Sequence, residues 1–153
     1  MAGGAGRRIG HFRDDTARAR FLVAYDAMLA TWPRPPTPVS VDTAFGTTHV
    51  QSLAGGTGPP IVLLHPLAVS SVSWASVAAA GAAAGHPTYA IDTVTDAGRS
   101  TPTAPVRTTA DLMTWLDQVL DGLRIARPHL VGASYGAWMP FATPCTHPGA
   151  SRA

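Results

Sequence analysis

The run Gly132-Ala133-Ser134-Tyr135-Gly136 sets a serine hydroxyl between two glycines at the end of an apolar stretch. A serine on a sharp strand-to-helix turn holds its Oγ clear of the backbone, and the flanking glycines leave room that a Cβ would fill. N–H groups at the start of the following helix then point to where an oxyanion would form. This arrangement suits a serine that attacks a carbonyl carbon and carries a covalent acyl group. A structural turn serine can match the same five letters, so the context decides. Pro128-His129-Leu130-Val131 before the motif reads as a strand, and the residues after it open like a helix.

A serine hydroxyl is a poor nucleophile without a base, and the base needs an acid to orient it. After Ser134 the sequence holds no Asp and no Glu, and His147 is the sole later histidine. Asp92 and Asp96 precede the serine and read as caps or braces of their own loop. His65 closes the apolar run Ile61-Val62-Leu63-Leu64 and reads as a structural histidine at a loop root. Gly55-Gly56-Thr57-Gly58 lacks the Gly-Lys-Ser/Thr ending of a phosphate loop and reads as a turn. With one cysteine, Cys145, there is no internal disulfide and no cysteine-built zinc site, and neither a metal nor an organic cofactor is expected.

The elements that must position these groups follow from periodicity. Arg13-Asp14-Asp15-Thr16 offers a cap, and Phe21, Tyr25, Met28, Leu29 and Trp32 recur at helical spacing until Pro33, Pro35 and Pro36 stop the helix. Val39 to Thr43 and Thr47 to Leu53 read as strands joined by Phe45-Gly46. Ile61 to His65 suits a strand buried on both faces. A helix from Ser71 or Ser73 to Ala84, a strand over Thr88 to Asp92, and a helix capped by Thr108 and Asp111 follow. Leu112, Trp115, Leu116, Val119, Leu120 and Leu123 line one face of that helix, and a last strand covers Pro128 to Gly132. The four tryptophans fall mostly at helix-face spacing and read as core. Helix, hairpin, then β-α-β-α-β points to an α/β sheet.

Composition agrees with a globular domain. Hydrophobic residues make up 46% of the 153 and charged residues only 13%, the opposite of a disordered chain. The net charge of +2 arises without Lys or Glu and without a basic stripe, so nucleic acid is not an expected partner. No stretch approaches the roughly 18 apolar residues of a membrane span; Val77 to Ala84 is bounded by Gly85 and Pro87. No leader-type apolar run follows Arg7 and Arg8. The expectation is a soluble, cytoplasmic protein without membrane contact.

Ile61 to Trp74, Tyr89 to Ser100 and Pro128 to Gly136 resemble the α/β-hydrolase family, on its bacterial carboxylesterase branch. Thr31-Trp32-Pro33 and Phe45-Gly46-Thr47-Thr48-His49 resemble the lead-in of that branch, and the likeness runs from about residue 11 to 139. The resemblance implies that Ser134 is the acylated nucleophile and that the N–H groups of Leu67 and Tyr135 form the oxyanion hole. His65-Pro66-Leu67 stands where the family usually carries His-Gly-X; Pro66 has no N–H, but Leu67 keeps its own. Thr95 stands where many relatives have glycine. The family's triad runs Ser, then Asp or Glu, then His in chain order, and this chain supplies only the first. The strand ending at Gly132 is expected to be central, its far side facing a strand that the chain does not encode.

The resulting expectation is an α/β fold: the N-terminal half of an α/β-hydrolase, incomplete, with a mostly parallel sheet, an antiparallel N-terminal hairpin and helices on both faces. Residues 1–37 form an arm and amphipathic helix, 38–139 a partial hydrolase domain, and 140–153 an aberrant tail. Pro140, Pro144 and Pro148 fall where a helix should pack behind the serine. Moving the reading frame by two bases at codon 140 permits Leu-Arg-His-Ala-Leu-His-Ala-Pro-Gly-Arg-Val-Ala, a hydrolase-like continuation, so a frameshift is expected. Function follows as hydrolysis of a small carboxylic ester, with the chain inactive alone. The alternatives are a non-catalytic half-domain that binds a partner or ligand, and acyl transfer or perhydrolysis on the same fold.

Overall fold

Asp14 opens the first helix, its side chain accepting the Ala17 N–H at 2.7 Å, and α1 runs Asp15–Leu29. The computed structural model describes residues 12–142 and 151–152. Two strands follow, β1 (Thr37–Thr43) and β2 (Gly46–Leu53), paired antiparallel in register from Thr37 opposite Ser52 to Thr43 opposite Gly46. Gly46 at the turn has φ +128°, and a Cβ there would lie 2.2 Å from the Thr101 carbonyl oxygen, so glycine is required. β3 (Ile61–Leu64) leads through a 3₁₀ turn (Ser71–Trp74) into α2 (Ala75–Ala83), and β4 covers Thr88–Ile91. After the short β5 (Thr101–Pro102) come α3 (Thr109–Gly122), β6 (His129–Gly132), α4 (Tyr135–Ala142) and β7 (Ser151–Arg152).

The sheet order is β1-β2-β4-β3-β6-β7, with β5 added beside β2. β4, β3, β6 and β7 are parallel, and the hairpin joins them through the antiparallel pair β2–β4. Side chains alternate across the sheet, so neighbouring residues of one strand serve opposite faces. Val62 and Leu64 of β3 and Ile91 of β4 meet Trp115, Leu116 and Val119 of α3, whereas Leu63 and Ala90 meet Trp32 and Ala78. Helices therefore cover both faces. The α3 cap is a full reciprocal box: Thr108 Oγ1 accepts the Asp111 N–H and Asp111 Oδ2 accepts the Thr108 N–H, each at 3.0 Å. Bonds from the Arg107 and Thr108 N–H groups hold the Asp111 carboxyl below its ordinary range.

Several expectations need adjustment. The helix expected from Ser71 begins as a 3₁₀ turn, because Ser70 and Ser73 bond locally before α-helical bonding starts at Ala75. β1 starts at Thr37, one residue inside the expected arm, and residues 1–11 of that arm lie outside the described residues. Of α1's apolar positions Tyr25 is buried, but Met28 is half exposed. Trp32 and Trp115 are core; Trp138 is 46% exposed and stacks on Tyr135 with centroids 6.0 Å apart. The far side of β6 is not bare: β7 pairs with it at His129 and Leu130. Pro140 lies within α4, which continues to Ala142, while Pro144, Cys145, His147 and Pro148 lie outside the described residues.

Candidate active site

The turn from β6 into α4 sits where β3 ends. Ser134 has φ +50°, one of three non-glycine residues with positive φ among those described. L-residues with side chains avoid that region because Cβ crowds the carbonyl, so something must hold the serine there. Close packing does so. A Cβ on Gly132 would lie 2.2 Å from the Gly136 oxygen, and one on Gly136 would lie 2.0 Å from the Leu64 oxygen and 2.7 Å from the His65 oxygen. The same Leu64 carbonyl accepts the Ala133 N–H at 3.2 Å. Behind the serine, the Ala137 and Trp138 N–H groups both donate to the Ser134 carbonyl at 3.0 Å. The glycine spacing read from sequence therefore has a steric cause, and the serine side chain is exposed.

Tyr135 is the first residue of α4, where a backbone N–H has no acceptor within the helix. Gly136 packs on the carbonyls of Leu64 and His65, which brings the start of the β3–α2 loop against the turn. Leu67 follows two residues later, its side chain largely exposed.

His65 is fully buried and both ring nitrogens are engaged. Nε2 accepts the Thr93 N–H at 3.0 Å, so Nδ1 carries the proton and donates to the Pro66 carbonyl at 2.8 Å. Such a ring joins the ends of β3 and β4 and is not available to deprotonate a serine, as its placement at the loop root suggested. Asp92 is fully buried and accepts three bonds: the Ser71 N–H at 2.8 Å, the Arg99 N–H at 2.8 Å and the Tyr25 hydroxyl at 2.9 Å. Asp96 reaches Ala68, accepting its N–H at 3.3 Å. Both carboxylates thus brace the loops around the end of β4, as read from sequence.

The sequence reading missed the polar cluster around Tyr25. Its hydroxyl meets Ser71 Oγ at 3.0 Å and accepts from Gln51 Nε2 at 3.1 Å, besides donating to Asp92. Burial first, and then the charge of Asp92, push the phenol well above its ordinary pKa, so it stays a donor. Gln51 Nε2 also lies 2.9 Å from His49 Nε2, which must accept. The available signal was a glutamine set between Val50 and Leu53 in a strand, a residue type that needs partners when buried.

His49 titrates below its ordinary value of 6.5: burial lowers it most, Asp92 opposes that, and Arg99 adds to the lowering. The unfolded chain then binds a proton more readily than the folded one. Stability is therefore full above about pH 6.5 and declines as the pH falls through that value toward the lower folded pKa. Thermal melting from about pH 7.5 to about pH 5 should show a falling Tm whose slope shrinks in His49→Gln; a wild-type Tm that holds or rises over that window contradicts it.

Two cavities of about 240 Å³ flank the loop carrying Asp96 and Ala97, one against Phe12 and Ser100, the other between α1 and the loop over Ala68 to Ser73. Ser134 lines neither. Among the described residues no three His, Cys or acidic side chains cluster as metal ligands, and no helix is long and apolar enough to cross a membrane.

A family model described as the alpha/beta hydrolase fold matches residues 59–150. Carboxylesterase YbfK of Bacillus subtilis (strain 168) is 37% identical over 117 residues, which are 76% of this chain and 39% of that protein. The uncharacterized carboxylesterase nap of the same organism is 34% identical over the same share. The crystal structure of YbfK superposes with a TM-score of 0.77 at 34% identity, covering 82% of this chain and 44% of that one. The naproxen esterase of Bacillus subtilis superposes with a TM-score of 0.80 at 30% identity, covering 88% and 47%. The chain thus spans about 39% of the length of the curated relatives it matches.

Proposed function

Since this chain belongs to the α/β-hydrolase fold family, we propose that it carries the nucleophile half of a serine carboxylic ester hydrolase, with Ser134 as the acylated residue. The observation that carries this reading is the strained serine, held at φ +50° between two glycines that pack backbone on backbone. Strain of this kind persists only where surrounding structure over-determines it, and it collects at functional sites. The carboxylesterase names of the relatives favour a small ester as substrate. The reaction needs no cofactor, and the protein acts in the cytoplasm.

In this reading the Ser134 Oγ attacks the ester carbonyl carbon as a base takes its proton. The carbonyl oxygen becomes an oxyanion, which the N–H groups of Tyr135 and Leu67 stabilise. The tetrahedral adduct collapses, the protonated alcohol leaves, and water later releases the acid. His65 aids this through geometry. Its bond to the Pro66 carbonyl fixes the plane of the Pro66–Leu67 peptide, which is trans, so the Leu67 N–H is turned the opposite way. No Asp or Glu follows Ser134 in this sequence, so in this reading the base and its acid come from the shifted frame. We propose that residues 140–153 come from a shifted frame, on the strength of their proline spacing and the hydrolase-like continuation that a two-base shift permits.

The polypeptide of residues 1–153, purified by itself, is expected to hydrolyse p-nitrophenyl acetate at background rate. An oxyanion hole alone leaves only the small residual catalysis seen when triad members are deleted. Substantial turnover that disappears in Ser134→Ala would show that this polypeptide finds a base of its own. A soluble polypeptide with no turnover in either frame would favour the non-catalytic half-domain.

A further inference from the structure

We infer that Tyr25 of α1, which lies outside the span matched by the family model, is a positioning residue for the loop that presents the Leu67 N–H. The inference rests on the proposed ester chemistry. That loop has no regular backbone pairing between Leu64 and Ser71, and Ala68 within it has φ +61°, a conformation that needs outside support. Three anchors hold it. His65 fixes the Pro66 carbonyl, Asp96 holds the Ala68 N–H, and Ser71 closes the far end.

Ser71 is held twice over. Its N–H donates to Asp92 Oδ1 at 2.8 Å, while its Oγ meets the Tyr25 hydroxyl at 3.0 Å, and that hydroxyl donates to the other oxygen of Asp92 at 2.9 Å. The three groups close a buried ring, so the hydroxyl both holds the serine and fixes the carboxylate that holds the serine's amide. The phenol cannot drift. Gln51 donates to it from β2, the Arg99 guanidinium lies 5.2 Å from its ring centroid, and Arg99 is paired with Asp26 on α1 itself. α1 thus acts as a strap over the 3₁₀ turn that ends this loop and over Asp92 at the end of β4.

The test is amide hydrogen exchange in the 153-residue chain, read by NMR at Ala68 and Ser71, with Trp115 and Val119 of α3 as reference. Tyr25→Phe keeps the ring and removes only the hydroxyl. Exchange at Ala68 and Ser71 is expected to rise about 10-fold relative to α3, the equivalent of one hydrogen bond. The strong intraresidue amide–Hα NOE of the positive φ at Ala68 should weaken with it. No change, or equal acceleration in α3, overturns the inference, because Tyr25 then only anchors its helix. Val23→Ala, on the exposed side of α1, should move neither site. If Tyr25→Phe fails to fold, Ser71→Ala removes the other hydroxyl and is read the same way; unchanged exchange at Ala68 overturns the inference. In an enzyme completed through the second frame, Tyr25→Phe should lower kcat about 10-fold with KM held, as a misaimed oxyanion donor does. A raised KM with kcat held overturns it. Absence of Ser134-dependent turnover in that enzyme, with the exchange result intact, refutes the ester reading and leaves the strap standing.

Discussion

Continuing the coding sequence past codon 140 in the frame shifted by two bases, which permits Leu-Arg-His-Ala, should yield an esterase, and Ser134→Ala in that enzyme should lower kcat by on the order of 10⁶. The size of the effect follows from how triad groups work as a unit. Removing the nucleophile costs as much as removing the whole set, and only binding and oxyanion stabilisation remain. In the proposed mechanism the chain contributes the exposed serine, the first N–H of α4, and the loop held by His65, Asp96 and Ser71. No Asp or Glu follows Ser134, and His65 spends both nitrogens on Thr93 and Pro66, so the proposed esterase takes its base and orienting acid from elsewhere. Resequencing the locus and assaying p-nitrophenyl acetate hydrolysis decide the matter. A stop codon within a few residues of the shift rules out the frameshift. Turnover that survives Ser134→Ala rules out the serine.

The parts of this site that were legible in the sequence are those fixed by neighbours in the chain. Thr108 and Asp111 are three residues apart, so a reciprocal cap could be read directly, and it forms. The helix face from Leu112 to Leu120 repeats at 3.6 residues and is buried as that period requires. The two glycines around Ser134 announce a tight turn, and the backbone contacts show why. The parts that stayed hidden depend on residues far apart. Tyr25 looked like another apolar position of α1, yet its hydroxyl meets Ser71 and Asp92 through the sheet's topology. Trp138 sits at core-like spacing but is half exposed, because α4 packs on β6 and β3 through its other face. The pairing of Thr101 and Pro102 with β2 carried no periodic signal, being two residues long. Local period cannot say which strand lies beside which.

Gly136→Ala should be strongly destabilising. The added Cβ would lie 2.0 Å from the Leu64 oxygen and 2.5 Å from its carbonyl carbon, distances that no rotamer change relieves because both partners are backbone. Either α4 moves off β3, or the end of β3 moves and gives up the bond from Ala133 to the same carbonyl. Overpacking in a dense interior usually costs about 1–3 kcal/mol and more where nothing yields, so a loss of about 3 kcal/mol is expected. For a domain with about 5–15 kcal/mol in all, that is a large share, and at this size it lowers Tm by roughly 6–12 °C. Ser134→Gly offers the opposite sign at the neighbouring position. Glycine adopts φ +50° without the Cβ crowding that serine bears there, so stability should rise by about 1 kcal/mol while the hydroxyl is lost. Melting curves of the two variants beside wild type test both halves of the argument. If Gly136→Ala melts within a degree or so of wild type, the close approach of α4 to β3 is wrong. If Ser134→Gly is destabilised, the serine is not strained, and the turn is held by its hydroxyl instead of by the glycines around it.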